Sequence, residues 1–219
     1  EGRMAFEKQL DIMCAGAFSV SNDSDLKWVY FLDGLKDGDN NIAALIRCND
    51  MLRQTFADSE HYQNYSVIMK NELIFRKSGM VVGDKFFYDN YCTYQNTDFE
   101  TWRKQSFESN TWQLFPLEEI DTGERTFQAM TFSYPVRNYI QQEPEANAVV
   151  QFLLSKENLE QMFGQLLSRQ GGILIYDAED RLLASLGKIN ADGDDPENTD
   201  LFLSEATAVS YTHLRAHET

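Results

Sequence analysis

The chain has 219 residues, 42% hydrophobic and 13% aromatic, which suffices for one large domain or two small ones and excludes wholesale disorder. Nineteen Lys and Arg against 35 Asp and Glu give a net charge of −16, a field that repels polyanions and anionic lipid, so nucleic acid is not a partner of this segment. Its longest apolar stretches, Ile12 to Phe18 and Ala148 to Leu154, fall far short of the roughly 20 residues that span a bilayer.

From Phe6, apolar residues recur at Leu10, Met13, Ala17 and Val20, a four-and-three stripe that predicts a helix of about two heptads. A polar loop follows, interrupted by the apolar Trp28 to Leu32. A second amphipathic helix is predicted over Asn41 to Phe56, with Leu45, Cys48, Leu52 and Phe56 on one face. The period then changes. Tyr65 to Met69 and Leu73 to Phe75 read as a hairpin about Lys70-Asn71-Glu72. An aromatic run, Phe86 to Tyr91, precedes Thr97-Asp98-Phe99-Glu100, a capping box opening a short helix through Trp102 and Phe107. Arg125 to Val136 alternates like a strand, and Ala146 to Leu154 is a mostly apolar strand. Ser155 caps a helix that carries Leu159, Met162, Phe163, Leu166 and Leu167 and closes at Gly171-Gly172. Ile173 to Tyr176 and Leu182 to Ser185 form a second hairpin around Asp177 to Arg181.

Motifs that carry chemistry are missing. No dinucleotide fingerprint, P-loop, zinc-protease helix or nucleophile elbow occurs, so neither a cofactor nor an enzyme is expected. His61 sits in a polar stretch and reads as a surface residue. Cys14, Cys48 and Cys92 are scattered, so no metal site is expected, and Cys14 and Cys48, each on a predicted helix, read as small buried hydrophobes. In Asp192-Gly-Asp-Asp-Pro196, Asp195 occupies the sixth position from Asn190, where a calcium loop wants glycine, and no glutamate closes the register; Glu118, Glu119 and Asp121 beside Pro116 read as a solvated loop.

The stretches Tyr65 to Ser78 (YSVIMKNELIFRKS), Phe86 to Lys104 (FFYDNYCTYQNTDFETWRK) and Val149 to Gly187, with its Ile-Tyr-Asp-x-x-x-x-Leu-Leu-Ala-Ser phrase, resemble one known architecture. It is the extracytoplasmic double Cache sensor domain, a PAS-like sheet repeated twice, of membrane-bound AraC-type transcriptional regulators and sensor histidine kinases of Firmicutes. The resemblance implies an α+β fold with a PAS-like antiparallel sheet, a long N-terminal helix and a second module that is truncated. It divides the chain into an N-terminal helical region (1–59), a membrane-distal module (60–170) and the start of a membrane-proximal one (171–208). Residues 209–219 read as one frame of a transposase-type sequencing adapter and are set aside as an artefact.

The resemblance further implies a small-molecule ligand held between the sheet and the segment crossing it. That places the candidate site at Tyr88, Tyr91, Tyr94, Trp102, Arg103 and Trp112, with Tyr134 on a facing strand. Aromatics with a cation suit a small polar or anionic molecule; the same side chains also suit ordinary core. The amino-acid-binding subgroup has an Arg-x-Trp-Tyr order, and Thr101-Trp102-Arg103-Lys104 departs from it, so an amino-acid ligand is not implied. Membrane attachment would come from flanking helices, and the signal would pass through the N-terminal helix. Its stripe serves either the sheet of its own chain or a homodimer partner. The alternative is a cytosolic PAS-like sensing or dimerisation module.

Overall fold

The computed structural model describes residues 2–30, 38–56, 64–137, 145–170, 172–187 and 198–202. His61, the acidic loop at 192–196 and the segment 209–219 lie outside them. The predicted stripe forms α1 (Gly2–Ser21), with Phe6, Leu10, Met13, Ala17 and Val20 all buried. Helix α2 (Ser24–Val29) follows where a loop was expected; the Asp23 carboxylate accepts from Leu26 N at 2.9 Å, capping a turn whose Leu26 and Val29 are buried. The second predicted helix is α3 (Gly38–Thr55), again seated on Leu45, Cys48 and Leu52.

Seven strands then build one antiparallel sheet. They are β1 (Asn64–Met69), β2 (Leu73–Arg76), β3 (Gly79–Val82), β4 (Thr93–Tyr94), β5 (Gln113–Asp121), β6 (Thr126–Val136) and β7 (Ala148–Ser155). The order is β3-β2-β1-β7-β6-β5-β4. β7 lies at the centre, pairing Val150 with Val67 on one side and Tyr134 on the other. All eight of its residues are buried because both faces of the sheet are covered. Ala148, Val150, Phe152 and Leu154 share an apolar cluster with the α1 stripe, α2 and α3. Val149 and Leu153 point the other way, toward α4 (Asp84–Tyr91) and α5 (Phe99–Glu108). The stripe of α1 is thus filled by its own chain, which decides between the two seams.

One segment left unassigned takes a definite form, and two local readings are corrected. The aromatic run is mostly helix, α4, because its Phe87 and Tyr88 face the sheet while Phe86 is exposed. The cap of α5 is Asp98, whose Oδ1 accepts from Thr101 N at 2.8 Å; Thr97 is occupied elsewhere. The acidic segment at 118–121 belongs to β5. Pro116 falls inside its register shift against β6, between Phe115 and Glu118, where a residue without an N–H breaks no ladder bond.

After β7, Ser155 caps α6 (Lys156–Met162), and the predicted single helix breaks at Phe163 before α7 (Gly164–Gln170). The second hairpin is β8 (Gly172–Tyr176) and β9 (Leu182–Gly187), with β10 (Asn198–Phe202) added parallel to β8 in the order β10-β8-β9. Ile173, Ile175, Leu183 and Leu186 join the same apolar cluster as α1. Among the described residues no helix is long and apolar enough to cross a membrane. The architecture is the expected α+β one, an antiparallel sheet with a long N-terminal helix.

Candidate functional site

The segment from α4 to α5 crosses the sheet face opposite α1 and packs as an aromatic layer. The Tyr88 ring lies 6.3 Å from that of Tyr94 at 24°, and 5.4 Å from Trp102. The Tyr88 hydroxyl donates to the Thr97 carbonyl oxygen, and the Tyr94 hydroxyl shares a 3.0 Å hydrogen bond with Thr131 Oγ1 on β6. Burial pushes both phenols above their ordinary value, Tyr94 strongly so.

At the β4–β5 edge of this layer opens a cavity of about 820 Å³, within the range of small-molecule sites. Tyr94, Thr97, Trp102 and Gln105 wall one side, and Trp112, Leu114, Phe115 and Glu118 another. The β8–β9 turn closes it with Asp177, Glu179 and Arg181. The Trp112 ring is backed by Phe132 of β6, stacked at 5.5 Å and 22°. The indole N–H groups of Trp102 and Trp112 are both buried without a hydrogen-bond partner. Each such orphan costs about 1–3 kcal/mol, which an acceptor would relieve.

Of the seven residues expected at the site, Tyr94, Trp102 and Trp112 line this cavity, and Tyr88 stands one layer behind them. Tyr91 is elsewhere: the Arg76 guanidinium sits 3.9 Å from its ring centroid, beside a separate void of about 30 Å³. Arg103 follows Trp102 on α5, and a 100° step per residue turns it away. Its Nε donates to Asp84 Oδ2 at 2.7 Å, on the outer side of the helix. Tyr134 packs against the α1-side cluster and does not border the cavity.

Two groups at the cavity were missed in sequence. Glu118 Oε2 accepts from Asn96 N and its Oε1 from the Thr97 hydroxyl, both at 2.9 Å, so it is half-buried and ordered, not solvated. Its position only makes sense once the bulge at Pro116 is known. Asp177 ties the β8–β9 turn: Oδ1 accepts from the backbone N–H groups of Glu179 and Arg181, and Oδ2 from Arg181 Nε at 2.6 Å. Partial burial pulls its pKa up, but these donors hold it below the ordinary carboxylate value. The Asp-x-x-x-Arg spacing at 177–181 was the available signal. Among the described residues no cluster of His, Cys, Asp and Glu could hold a metal ion.

No family model and no curated protein matches the chain. Among solved structures it is similar to the periplasmic sensory domain of the Campylobacter jejuni chemoreceptor Tlp1, at 12% identity and a TM-score of 0.45, over 74% of this chain and 59% of that one. It is also similar to the sensory domain of the Campylobacter jejuni chemoreceptor Tlp3 (CcmL), solved with isoleucine bound, at 14% identity and a TM-score of 0.40, over 84% and 73%. The chain therefore spans less than two thirds of the length of the first.

Proposed function

We propose that the chain is the extracytoplasmic ligand-sensing domain of a membrane-anchored bacterial signalling protein, a transcriptional regulator or a kinase. It binds a small molecule in the cavity at the β4–β5 edge and passes occupancy to α1. The observation that carries the reading is the cavity itself, a space of about 820 Å³ with Tyr94, Trp102 and Trp112 in its walls. The three stretches that resemble double Cache domains support the placement outside the membrane.

Support for that relay comes from the contacts of β6. Thr131 holds the Tyr94 hydroxyl, and Phe132 backs the Trp112 ring. Met130 and Phe132 belong to the apolar cluster that takes in the α1 stripe. A ligand that shifts Tyr94 or Trp112 therefore pushes on the strand against which α1 rests. A homodimer in the full-length protein would use the outer side of α1, where Met4, Ile12 and Phe18 are exposed, since the inner stripe is already filled.

A small-molecule screen by differential scanning fluorimetry tests the reading. At least one compound should raise the unfolding midpoint of the wild-type domain and lose that effect in Trp112→Ala. A stabilising compound whose effect survives Trp112→Ala, or the absence of any stabilising compound, would overturn it.

A further inference from the structure

The aromatics and Arg103 of the crossing segment point to a small polar or anionic ligand, with Arg103 as the counter-charge of an anion. The folded chain reverses that sign. Arg103 is committed to Asp84 at 2.7 Å and lies outside the cavity. Among the described residues, the charged side chains in the cavity wall are three carboxylates, Glu118, Asp177 and Glu179, and one cation, Arg181. Arg181 is itself paired with Asp177 at 2.6 Å and Glu179 at 3.3 Å. Among the described residues, an entering anion would meet three carboxylates and a single guanidinium already paired with two of them.

Glu118 is different from the other two carboxylates. Its oxygens take one backbone N–H and one hydroxyl, each neutral, and no cation pairs with it among the described residues. Each carboxylate oxygen has a second lone pair still available. Tyr94, Trp102 and Trp112 line the same cavity, and the face of an aromatic ring carries the negative part of its quadrupole. A carboxylate without a counter-ion next to electron-rich rings, in a chain of net charge −16, attracts one kind of guest.

We infer that the cavity takes an organic cation, an amine or quaternary ammonium whose body also carries an acceptor oxygen for the orphan indole N–H groups, its charge held by Glu118 and the neighbouring aromatic rings. An amino acid is disfavoured because its carboxylate would find only Arg181, which is already paired with two carboxylates. The assignment rests on the ligand-sensing reading above and goes further only in naming the class.

The test is calorimetric titration of the wild-type domain with choline and ethanolamine as cations, leucine as a zwitterion, succinate as a dianion and maltose as a neutral solute. The cations should bind, and their affinity should fall as NaCl is raised from about 50 to 500 mM. Glu118→Gln should weaken cation binding at least about tenfold. Glu119→Gln, the same charge change at an exposed neighbour on the same strand, should leave it within about twofold. Salt-independent cation binding, or equal weakening by both variants, would overturn the assignment; the salt series on wild type decides it even if Glu118→Gln folds poorly. If leucine, succinate or maltose binds in place of the cations and Trp112→Ala abolishes it, the class is wrong and the sensor reading stands. If no probe binds, both fail.

Discussion

Asp177 shows how one carboxylate can organise a turn. Three donors converge on it, and Asp180 takes a positive φ of 60° to bring the chain round. The unfolded chain releases this proton near its ordinary value of 3.8, and the folded one releases it lower. The stability it contributes is therefore complete above pH 4 or so and is lost as pH falls through the depressed value. An NMR acid titration should show the Glu179 and Arg181 amides moving with a midpoint below 3.8, and a midpoint at or above it would contradict the geometry. The three cysteines make the opposite case. Burial pushes each thiol up to about 12, with the Asp11 carboxylate adding to the effect at Cys14. A thiol that neither ionises nor meets reagent does not react. Native protein at pH 8 should take up no Ellman's reagent, and protein in denaturing urea should react at all 3 cysteines. Labelling of the native fold would show that one of these sites opens.

At the scale of the element, α1 is held by burial and the β5–β6 turn by backbone geometry. Leu10 is completely buried, so Leu10→Ala should cost about 2–5 kcal/mol in urea unfolding. Met4→Ala on the exposed side should stay within about 0.5 kcal/mol. Equal effects would mean that α1 is not seated on this sheet. Gly123 has φ 75°, and a Cβ there would collide with the Asn90 carbonyl oxygen. Gly123→Ala should therefore lower stability by about 1–3 kcal/mol or more, read in the same urea series. The elements most legible in sequence were those whose own period records their burial: the 6-10-13-17-20 stripe, the alternation of 125–136 and the apolar run of β7. β5 was not legible, because Pro116 and three nearby acidic residues look locally like a loop; only pairing with β6 makes them a strand. α4 was obscured for a related reason, since Phe86, Phe87 and Tyr88 favour a strand by propensity and the sheet beneath selects a helix. The site was half legible. Aromatic density marked the crossing segment, but Trp102 and Arg103 part company by helical geometry. The wall at 177–181 comes from a hairpin about 60 residues further along, which no local pattern announces.

For the whole molecule, the question is what joins the two sheets. Ile173, Ile175, Leu183 and Leu186 anchor the smaller sheet in the apolar cluster shared with α1, and Leu183 also borders the cavity. The cavity thus lies between β5 of the large sheet and the β8–β9 turn of the small one, with α1 against both through the common cluster. A bound molecule touching Trp112 on one side and the turn on the other would link sheets that otherwise meet chiefly through side chains. Ligand that binds only the assembled cavity stabilises it by RT ln(1 + [L]/Kd), about 2.7 kcal/mol at a hundredfold excess over Kd. Amides that exchange only when the two sheets separate should then be protected by up to about 100-fold. The measurement is hydrogen exchange with and without a ligand identified by the fluorimetry screen. Slowing is expected in β8, β9 and α5, with α3 unchanged because it sits on the far side of the sheet. Protection confined to α4 and α5 would make the β8–β9 turn a passive lip, and the signal would then have to leave the cavity through Thr131 and β6 alone.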